Sequence, residues 1–507
     1  MSTKVYSAAI VGLESELVEV EADVGNAPSA FVIVGLPDKA VEESKERIRS
    51  AMKNSGLEFP RPKVTINLAP ADLKKEGPSY DLPIAVSVLA THEIFMWIPE
   101  DQHALFVGEL SLDGHVRPIP GTLSISLLAQ RKGYQRIFLP AENAAEANLV
   151  PGLEIMPVAT LSELVLHLMG ERRIAPLVYT HPTPPENAAT RYDMCYIQGQ
   201  EHVKRALEIA AAGGHNVLMS GPPGAGKTLL ARTLPSILPT LTLEEALEVT
   251  RLYSVSGIKP KESPLLWERP FRAPHHTASG VAVVGGGTTP RPGEISLAHR
   301  GILFLDEFPE FGRAVLENLR QPLEDGIVSV SRAAGTILFP AKFMLIAAMN
   351  PCPCGYATDP THHCLCSQGQ VIKYQKRLSG PLLDRIDIHT DVPRLTFEIL
   401  ADTAVAESSS EIRKRVERAR LRQYARFKDS SILTNAEMSS REVREYCPVD
   451  TKIQTVLKNA VTTMHLSARG YYRVLKVART IADLVGEETI TSTHVTEALQ
   501  YRPKVGE

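Results

Sequence analysis

Short apolar runs alternate with helical patterns over the first third of the chain. The runs FVIVGLP, KVTINLAP, HALFVGELSL and RIFLPA are typical of strands, and DKAVEESKERIRSAMKNSG after the first of them has the spacing of an amphipathic helix. This alternation predicts an α/β domain over residues 1–170. The next segment, ERRIAPLVYTHPTPPENAATRYD, is rich in proline and poor in periodic apolar positions, which predicts a linker over residues 171–193.

The rest of the chain divides into a mixed part and a helical part. Residues 194–393 again combine strand and helix patterns and predict an α/β core. Beyond residue 393 the strand patterns fade. Segments such as SEIRKRVERARLRQYARF and RVLKVARTIADLVG predict an all-helical domain over residues 394–507. The predicted fold class is therefore α/β, with a helical carboxyl-terminal part.

Composition and charge limit the classes of function without choosing one. A hydrophobic fraction of 44% with 22% charged residues is ordinary for a globular protein. The formal net charge of −3 means that contact with nucleic acid would need local basic patches. The amino-terminal residues lack the pattern of a secretory signal, no apolar run approaches the length of a membrane span, and six cysteines do not suggest a disulfide scaffold. We therefore expect a protein of the reducing cytoplasm, without a membrane partner.

One motif indicates the chemistry directly. The apolar run NVLMS is followed by a phosphate loop of the form GxxxxGK[ST] and then by the helical pattern TLLARTLPSIL. In such a loop, backbone N–H groups surround phosphate oxygens, the lysine reaches the β- and γ-phosphates, and the hydroxyl binds magnesium. With a strand before it and a helix after it, a chance glycine-rich turn is the weaker interpretation. The motif predicts that ATP and magnesium are bound by Gly221, Pro222, Pro223, Gly224, Ala225, Gly226, Lys227 and Thr228.

The run GILFLDE, residues 301–307, supplies the acidic groups that hydrolysis needs. Its apolar residues are typical of a strand buried in a parallel sheet. At the end of that strand Asp306 is predicted to hold magnesium, and Glu307 to polarise the attacking water. Many buried strands end in acidic residues, so this interpretation depends on the phosphate loop that precedes the run.

Three polar positions further along are candidates to complete the site. Asn350 ends the apolar run FMLIAAMN, where it would position water against the γ-phosphate, although an ordinary turn-capping asparagine fits as well. Arg385, in SGPLLDRIDIH, would neutralise charge at a neighbouring subunit's nucleotide, or form a salt bridge within its own chain. Arg469 and Arg473 share one helical face, from which one of them would close on the phosphates; a solvated basic face is the alternative.

A cysteine-rich insertion, residues 351–367, follows Asn350. Its pattern C-x-C-x9-C-x-C can place four thiolates tetrahedrally around zinc, which leaves no open position for catalysis. The spacing is tighter than in common zinc knuckles, so free thiols are an alternative, and His362 and His363 are possible substitute ligands. A metal there would brace the loop leading to Arg385. The predicted zinc ligands are Cys352, Cys354, Cys364 and Cys366.

The order of the motifs GPPGAGKT, ILFLDE, AAMNPCPCG, SGPLLDRID and SARGYYRVLKVARTIADL resembles the magnesium-chelatase-like AAA+ family called YifB or ComM, over nearly the whole chain. The resemblance implies a hexameric ring with nucleotide between subunits. It implies that Asn350 is the sensor 1 residue, Arg385 the arginine finger and Arg469 the sensor 2 residue. It also implies an ATP-driven DNA helicase for branch migration in homologous recombination and natural transformation, with recombination proteins as further partners.

Two stretches are candidates for contact with single-stranded or branched DNA. IVSVSRAAGTILFPAKF predicts a hairpin with Arg332 near its tip, and it resembles the pre-sensor hairpin of this AAA+ branch. Copies of the hairpin around a ring would line a pore with positive charge, whereas an ordinary surface hairpin is the alternative. The stretch from residue 269 to residue 301 is rich in arginine, histidine and glycine, as an insert facing a pore would be, and it adds Arg272, His275 and His276.

The first domain resembles the Lon protease fold. KKEGPSYDLPIA and GELSLDGHVRPIPGTLSIS match that family, and Ser79 stands where Lon carries its nucleophilic serine. Leu123 stands where Lon carries the lysine that accepts the serine proton, so we expect no protease activity. Lys74 and Lys75 are close in sequence, but nothing in the pattern gives them that role. The expected function is a collar that binds DNA or a partner, like the Lon-like domain of the RadA recombination helicase.

An ATP-driven DNA motor is the function that these patterns favour. A chelatase-type remodeller of a protein or metal-insertion partner shares the AAA+ core, but the Lon-like domain and the cysteine insertion depart from that simpler subunit. A protein unfoldase would more often present an aromatic and hydrophobic pore loop than Ser-Arg-Ala-Ala-Gly. Stimulation of ATP turnover by DNA separates the first function from the other two.

Overall fold

The structure, a computed structural model, describes residues 2–25, 27–91, 98, 100–184, 192–260, 262–287, 290–332, 335–400, 406–430 and 432–503. Contacts divide the chain into two units. The first unit comprises residues 1–184 and 243–266, and the second comprises residues 185–242 and 267–507. Among the described residues, no helix is both long enough and apolar enough to cross a bilayer.

Strands and helices occur in both units, which confirms the predicted α/β class. The strands in chain order are β1 Ser2–Val11, β2 Glu14–Val24, β3 Phe31–Val34, β4 Val64–Ala69, β5 Leu105–Phe106, β6 Glu109–Leu110, β7 Val116–Arg117, β8 Arg136–Pro140, β9 Glu154–Val158, β10 Val217–Ser220, β11 Phe271–Arg272, β12 Gly285–Gly286, β13 Arg291–Pro292, β14 Ile302–Leu305, β15 Ile327–Arg332, β16 Gly335–Pro340, β17 Met344–Met349 and β18 Ile388–Asp391. The helices in chain order are α1 Lys39–Asn54, α2 Asp81–Thr91, α3 Thr122–Arg131, α4 Ala144–Ala147, α5 Leu161–Leu168, α6 Glu201–Gly213, α7 Lys227–Ile237, α8 Leu243–Ser256, α9 Gly280–Val284, α10 Glu294–Leu297, α11 Arg313–Asn318, α12 Arg320–Asp325, α13 Gln368–Gln375, α14 Gly380–Leu383, α15 Phe397–Leu400, α16 Ser409–Arg426, α17 Ser440–Tyr446, α18 Thr451–Thr463, α19 Ala468–Val485 and α20 Ser492–Gln500.

The first unit contains a seven-stranded sheet with the strand order β3-β4-β2-β1-β5-β8-β9. Strand β2 pairs antiparallel with β1 and β4, whereas β1, β5, β8 and β9 run parallel to one another. Buried and less buried residues alternate along β4, as expected of a strand with one face against a core. Helix α1 is capped by Asp38, whose side chain accepts a hydrogen bond from the N–H of Val41, and the helix buries Ile48 and Met52.

Helix α8 lies between two parts of the second unit in sequence but packs within the first. Arg251 on this helix donates hydrogen bonds to the carbonyl of Leu13 at 2.7 Å and to the carboxylate of Glu14 at 2.8 Å. The Ser254 hydroxyl donates to the buried carboxylate of Glu146. A helical pattern does not say which core its buried face will join, and the predicted boundaries assigned this helix to the α/β core by its position in the chain. As limits of functional domains, those boundaries stay a prediction.

The second unit is built on a five-stranded sheet with the order β11-β14-β17-β10-β18, in which each neighbouring pair runs parallel. Strands β14 and β17 are buried along their whole length, as expected for a parallel sheet that is covered on both faces. Strand β10 pairs with β17 so that Ser220 is opposite Met349. The carboxyl ends of these strands therefore lie at one edge of the sheet, which is where parallel α/β sheets bind their ligands.

Helices α16 to α20 form the helical carboxyl-terminal part that the sequence predicts, and they belong to the same unit as the sheet. Asp483 on α19 is fully buried. Its carboxylate accepts hydrogen bonds from Arg426 at 2.6 Å, from Arg479 at 2.9 Å and from Asn435 at 2.8 Å. Because a buried charge is tolerated only when it is paired, this cluster ties α16 to α19.

We expect Asp483→Ala to lower the free energy of unfolding by about 3–5 kcal/mol, because it leaves the buried guanidinium of Arg479 without its carboxylate. A urea titration followed by circular dichroism measures the change. Asp429→Ala, at an exposed position just beyond α16, is the matched control and should alter stability by less than about 0.5 kcal/mol. Equal stability of the two variants would contradict the structural importance of the cluster.

Candidate functional site

Residues 221–226 connect β10 to α7 and contain the glycines of the phosphate loop. Gly224 and Gly226 have positive φ angles of 75° and 90°, a conformation that glycine adopts without strain. A Cβ atom on Gly221 would lie 2.2 Å from the carbonyl oxygen of Val392, so the loop passes too close to the end of β18 for a side chain. Because a helix leaves its first N–H groups unpaired, the start of α7 adds donors for an anion.

Lys227 joins the phosphate loop to the end of β17. Its Nζ donates hydrogen bonds to the carbonyl oxygens of Gly221 at 2.6 Å and Pro222 at 2.9 Å, and to Oδ1 of Asn350 at 3.2 Å. Burial lowers the pKa of Lys227, while the charge of Asp306 opposes that shift. The structure thus brings together Lys227 and Asn350, two predicted site residues that are far apart in sequence.

Thr228 and Asp306 form the second contact between the predicted motifs. The Thr228 hydroxyl donates to Oδ2 of Asp306 at 2.7 Å, across the space between α7 and the end of β14. A hydroxyl and a carboxylate are the hard oxygen ligands that magnesium prefers. Together with the loop that has no room for a side chain at Gly221, this donor set fits a magnesium nucleotide. Its assignment to that ligand stays a prediction.

Glu307, the predicted catalytic base, is paired with His276. Glu307 has a positive φ angle of 51°, and its Oε2 lies 2.9 Å from Nδ1 of His276. The sequence predicted that His276 contacts DNA, whereas the structure places its imidazole against the candidate base. No spacing rule connects the two positions, because the histidine follows β11 and the glutamate follows β14. The proximity comes from the parallel pairing of those strands.

The other predicted DNA contacts in this stretch also have partners within the chain. Arg272 donates two hydrogen bonds of 2.6 Å to the carboxylate of Glu294. The ring of His275 lies against that of His276, with 4.2 Å between centroids and a tilt of 33°, and its Nδ1 is 2.8 Å from the Thr277 hydroxyl. Contact of these residues with DNA stays a prediction, and for Arg272 it would require breaking a two-bond ion pair.

Arg385 and Arg469 share one carboxylate, that of Glu324 on α12. Arg385 is only 5% exposed, and it donates hydrogen bonds to Glu324 and to the carbonyl of Pro381. Arg469 Nη2 lies 3.2 Å from the other oxygen of Glu324. The guanidinium of Arg385 lowers the pKa of Glu324, and Arg469 adds to that effect. Glu324 was not among the predicted site residues, because an acidic residue before a turn carries no distinguishing pattern.

Arg473, the alternative to Arg469, has a structural partner instead. It pairs with Asp387, which also lies 3.4 Å from Nδ1 of His215. Although burial opposes ionisation, Arg473 and His215 hold the pKa of Asp387 well below its ordinary range. Arg473 is therefore part of a charged cluster beside β18. Arg469 stays the predicted residue that would close on the phosphates.

Strands β15 and β16 form the antiparallel hairpin that the sequence predicts. Arg332 is the last residue of β15, and its Cα is paired with that of Gly335. Residues 333 and 334, and the side chain of Arg332, lie outside the described part of the chain. A role of this hairpin in binding DNA stays a prediction.

The predicted zinc ligands lie together. The Sγ atoms of Cys352, Cys354, Cys364 and Cys366 are all within 4.8 Å of one another. Sγ of Cys352 is 3.3 Å from that of Cys354 and 3.7 Å from that of Cys364. This soft, four-thiol donor set fits zinc. His362, considered as a substitute, stacks on the ring of Tyr356 and lies 3.6 Å from Asp359.

In the first unit, the residues compared with the Lon dyad have the following partners. Lys75 is fully buried, and its Nζ donates to the carbonyl of Pro70. Burial lowers the pKa of Lys75. Leu123 is buried in α3, where it provides no proton acceptor. The carbonyl of Ser79 accepts a hydrogen bond from the N–H of Gly108 at 2.9 Å.

Comparisons with known proteins extend over nearly the whole chain. Residues 193–400 match the family described as magnesium chelatase, subunit ChlI; residues 20–143 match subunit ChlI of Mg-chelatase; and residues 406–502 match the ChlI carboxyl-terminal family. The chain is 44% identical over 506 residues to the competence protein ComM of Haemophilus influenzae, covering 99% of this chain and 97% of that one. It is 42% identical over 500 residues to the uncharacterised protein YifB of Escherichia coli, covering 98% and 96%. Lon protease 3 of Sorangium cellulosum is 29% identical over 229 residues, covering 44% of this chain and 27% of that protein.

We expect Asp306→Asn to weaken binding of ATP in magnesium by about 10–100-fold, because the neutral amide holds the cation poorly. With EDTA in place of magnesium, the variant and the unmodified chain should bind with similar affinity. Titration with a fluorescent ATP analogue measures both conditions. Asp325→Asn, at an exposed position on α12, is the control. An equal loss of affinity with and without magnesium would contradict the role of Asp306 as a metal ligand.

Proposed function

Because this chain belongs to the magnesium-chelatase-like AAA+ ATPases of the YifB/ComM family, we propose that it is an ATP-driven, hexameric DNA motor of the cytoplasm. It would act as a helicase or branch-migration translocase in homologous recombination and in DNA uptake during natural transformation. Its substrates would be single-stranded and branched DNA, with recombination proteins as further partners. The competence protein ComM of Haemophilus influenzae, with its identity of 44%, supports the connection to DNA uptake.

The main support for the proposal is that the phosphate loop contacts both the strand end at Asp306 and the strand end at Asn350, at one edge of the sheet. Lys227 contacts Asn350, and Thr228 contacts Asp306, at 3.2 Å and 2.7 Å. ATP with magnesium, when bound, supplies the phosphoanhydride whose hydrolysis drives the motor. The backbone N–H groups of Gly224, Gly226 and Lys227, together with the Lys227 ammonium, would hold the phosphates. Thr228 and Asp306 would hold the cation. Glu307 takes a proton from water at its carboxylate, and Asn350 orients that water.

The arginine pair supports action between subunits. Arg385 and Arg469 of one chain pair with the same carboxylate, that of Glu324. Their guanidiniums therefore lie close enough together for one phosphate group to contact both. We propose that they act on the nucleotide of the neighbouring subunit, where Arg385 is the arginine finger. A triphosphate is a stronger partner for two guanidiniums than one exposed carboxylate is, so binding of the neighbour would release them from Glu324.

A chelatase-type remodeller is the second candidate. All of the matched family models carry the description of the magnesium chelatase subunit ChlI. Such a protein would hydrolyse ATP at the same site but would respond to a protein or metal-insertion partner instead of DNA. The two functions therefore differ in what stimulates turnover.

We expect single-stranded or branched DNA to stimulate ATP hydrolysis several-fold. Lys227→Ala should abolish turnover, and Arg332→Ala should reduce the stimulation while leaving turnover without DNA unchanged, because a phosphate contact at the hairpin contributes to DNA binding alone. Arg418→Ala, on the exposed side of α16, is the control. Turnover that is indifferent to every DNA tested would contradict the motor and favour the chelatase-type function.

We further expect a mixture of Lys227→Ala and Arg385→Ala chains to regain activity that neither variant has alone. In a mixed ring, an intact phosphate loop on one subunit meets an intact arginine on the next. ATP turnover is measured across mixing ratios, with size-exclusion chromatography to confirm that the variants assemble together. A mixture with no more activity than the sum of its parts would contradict action of Arg385 between subunits.

A further inference from the structure

The cysteine cluster begins where the sheet edge of the nucleotide site ends. Strand β17 finishes at Met349, next to Asn350, and Cys352 follows two residues later. The N–H of Gly221 donates to the carbonyl of Met349 at 3.2 Å. The turn that carries the first cysteines and the phosphate loop are therefore attached to neighbouring strands at the same edge.

Gly355 brings the turn into direct contact with the phosphate loop. It is buried, has a positive φ angle of 88°, and its N–H donates to the carbonyl of Cys352 at 3.0 Å. A Cβ atom at this position would lie 2.6 Å from Cδ of Pro223 and 3.7 Å from Cγ of Asn350. The backbone of the cysteine turn thus packs against one phosphate-loop residue and beside the candidate sensor. Only a residue without a side chain permits this approach.

The insertion has little regular structure to hold that contact in place. All of residues 351–367 are described, and none of them is in a helix or a strand. Cys352 is fully buried, while the other thiols of the cluster are half-buried. Four thiolates this close repel one another unless a cation is bound among them, and zinc bound by four sulfurs fixes the geometry of the turn.

We propose that zinc bound by the four cysteines positions the phosphate loop, through the packing of Gly355 on Pro223 and beside Asn350. The metal site then determines how tightly the chain binds nucleotide, in addition to stabilising the insertion. This inference rests on the proposed nucleotide site at Lys227. Pro223 and Asn350 are positioned by the turn, and the zinc itself touches no reacting group.

The experiment measures zinc content and nucleotide affinity separately on the full chain. Zinc per chain is determined by mass spectrometry after purification in a reducing buffer, and the Kd for a fluorescent ATP analogue is measured by titration. We expect about one zinc per unmodified chain, as a four-thiolate site would hold. Cys366→Ser, at a half-buried ligand, should lose the metal and raise the Kd about tenfold.

A second variant separates the contact from the metal. Gly355→Ala should keep its zinc yet raise the Kd, because its methyl group displaces Pro223. Gly56→Ala is the matched control, since Gly56 has a positive φ angle of 76° with nothing within 4 Å of its Cβ position. Cys195→Ser, outside the cluster, controls for loss of a thiol and should keep both zinc and affinity.

A variant could lose affinity simply because it fails to fold. Zinc is therefore also removed from the unmodified chain with a chelator and then added back. The Kd should rise on removal and fall again on return. Nucleotide affinity that is unchanged without zinc, or a purified chain that binds no metal, would overturn this inference while leaving the proposed function intact. A zinc-loaded chain that binds no nucleotide would instead overturn the proposed function.

Discussion

The parallel pairing of β10 with β17 brings two loops that are distant in sequence to one edge of a sheet. The phosphate loop begins after Ser220, the last residue of β10, and Asn350 follows Met349, the last residue of β17. Ser220 and Met349 are opposite each other in the pairing. The contact of Lys227 with Asn350 and the contact of Gly355 with Pro223 both follow from this arrangement. Because a shift of register by one residue exchanges the faces of a strand, it would separate all of these groups. Strand β17 is buried along its whole length, so a shift of register would also disturb the close packing on both of its faces.

The positive charges of Lys227 and Arg385 are each paired with an acceptor that a phosphate group could replace. Burial makes the ammonium of Lys227 costly, and backbone carbonyls compensate for the lost water. Glu324 does the same for Arg385, whose guanidinium is also largely buried. In the proposed ring, the triphosphate bound by this chain would take over Lys227, and that of the neighbouring subunit would take over Arg385. The positive groups are thus held near their expected positions by weaker acceptors, which reduces the reorganisation that ligand binding requires.

The sequence predicts the parts of the site that depend on local pattern. The phosphate loop, the apolar strand before Asp306 and the paired cysteines each need a fixed spacing, and the structure brings the expected side chains together. Glu324 and the partner of Glu307 could not be predicted in this way, since both depend on which strands and helices become neighbours. The same limit applies to α8, whose helical pattern is evident while its place in the first unit depends on partners such as Glu14 and Glu146.

The candidate DNA contacts differ in what binding would cost. Arg272 would have to give up two short hydrogen bonds to Glu294, and His276 would have to leave the carboxylate of Glu307. A phosphate contact of about 1 kcal/mol does not repay the loss of a half-buried ion pair with two hydrogen bonds. Arg332 ends β15 of the hairpin, and a DNA contact there would break neither of these two pairs. Binding through the hairpin is therefore the proposed DNA contact with the lower cost. The contact of His276 with Glu307 connects its own stretch to the candidate catalytic base instead.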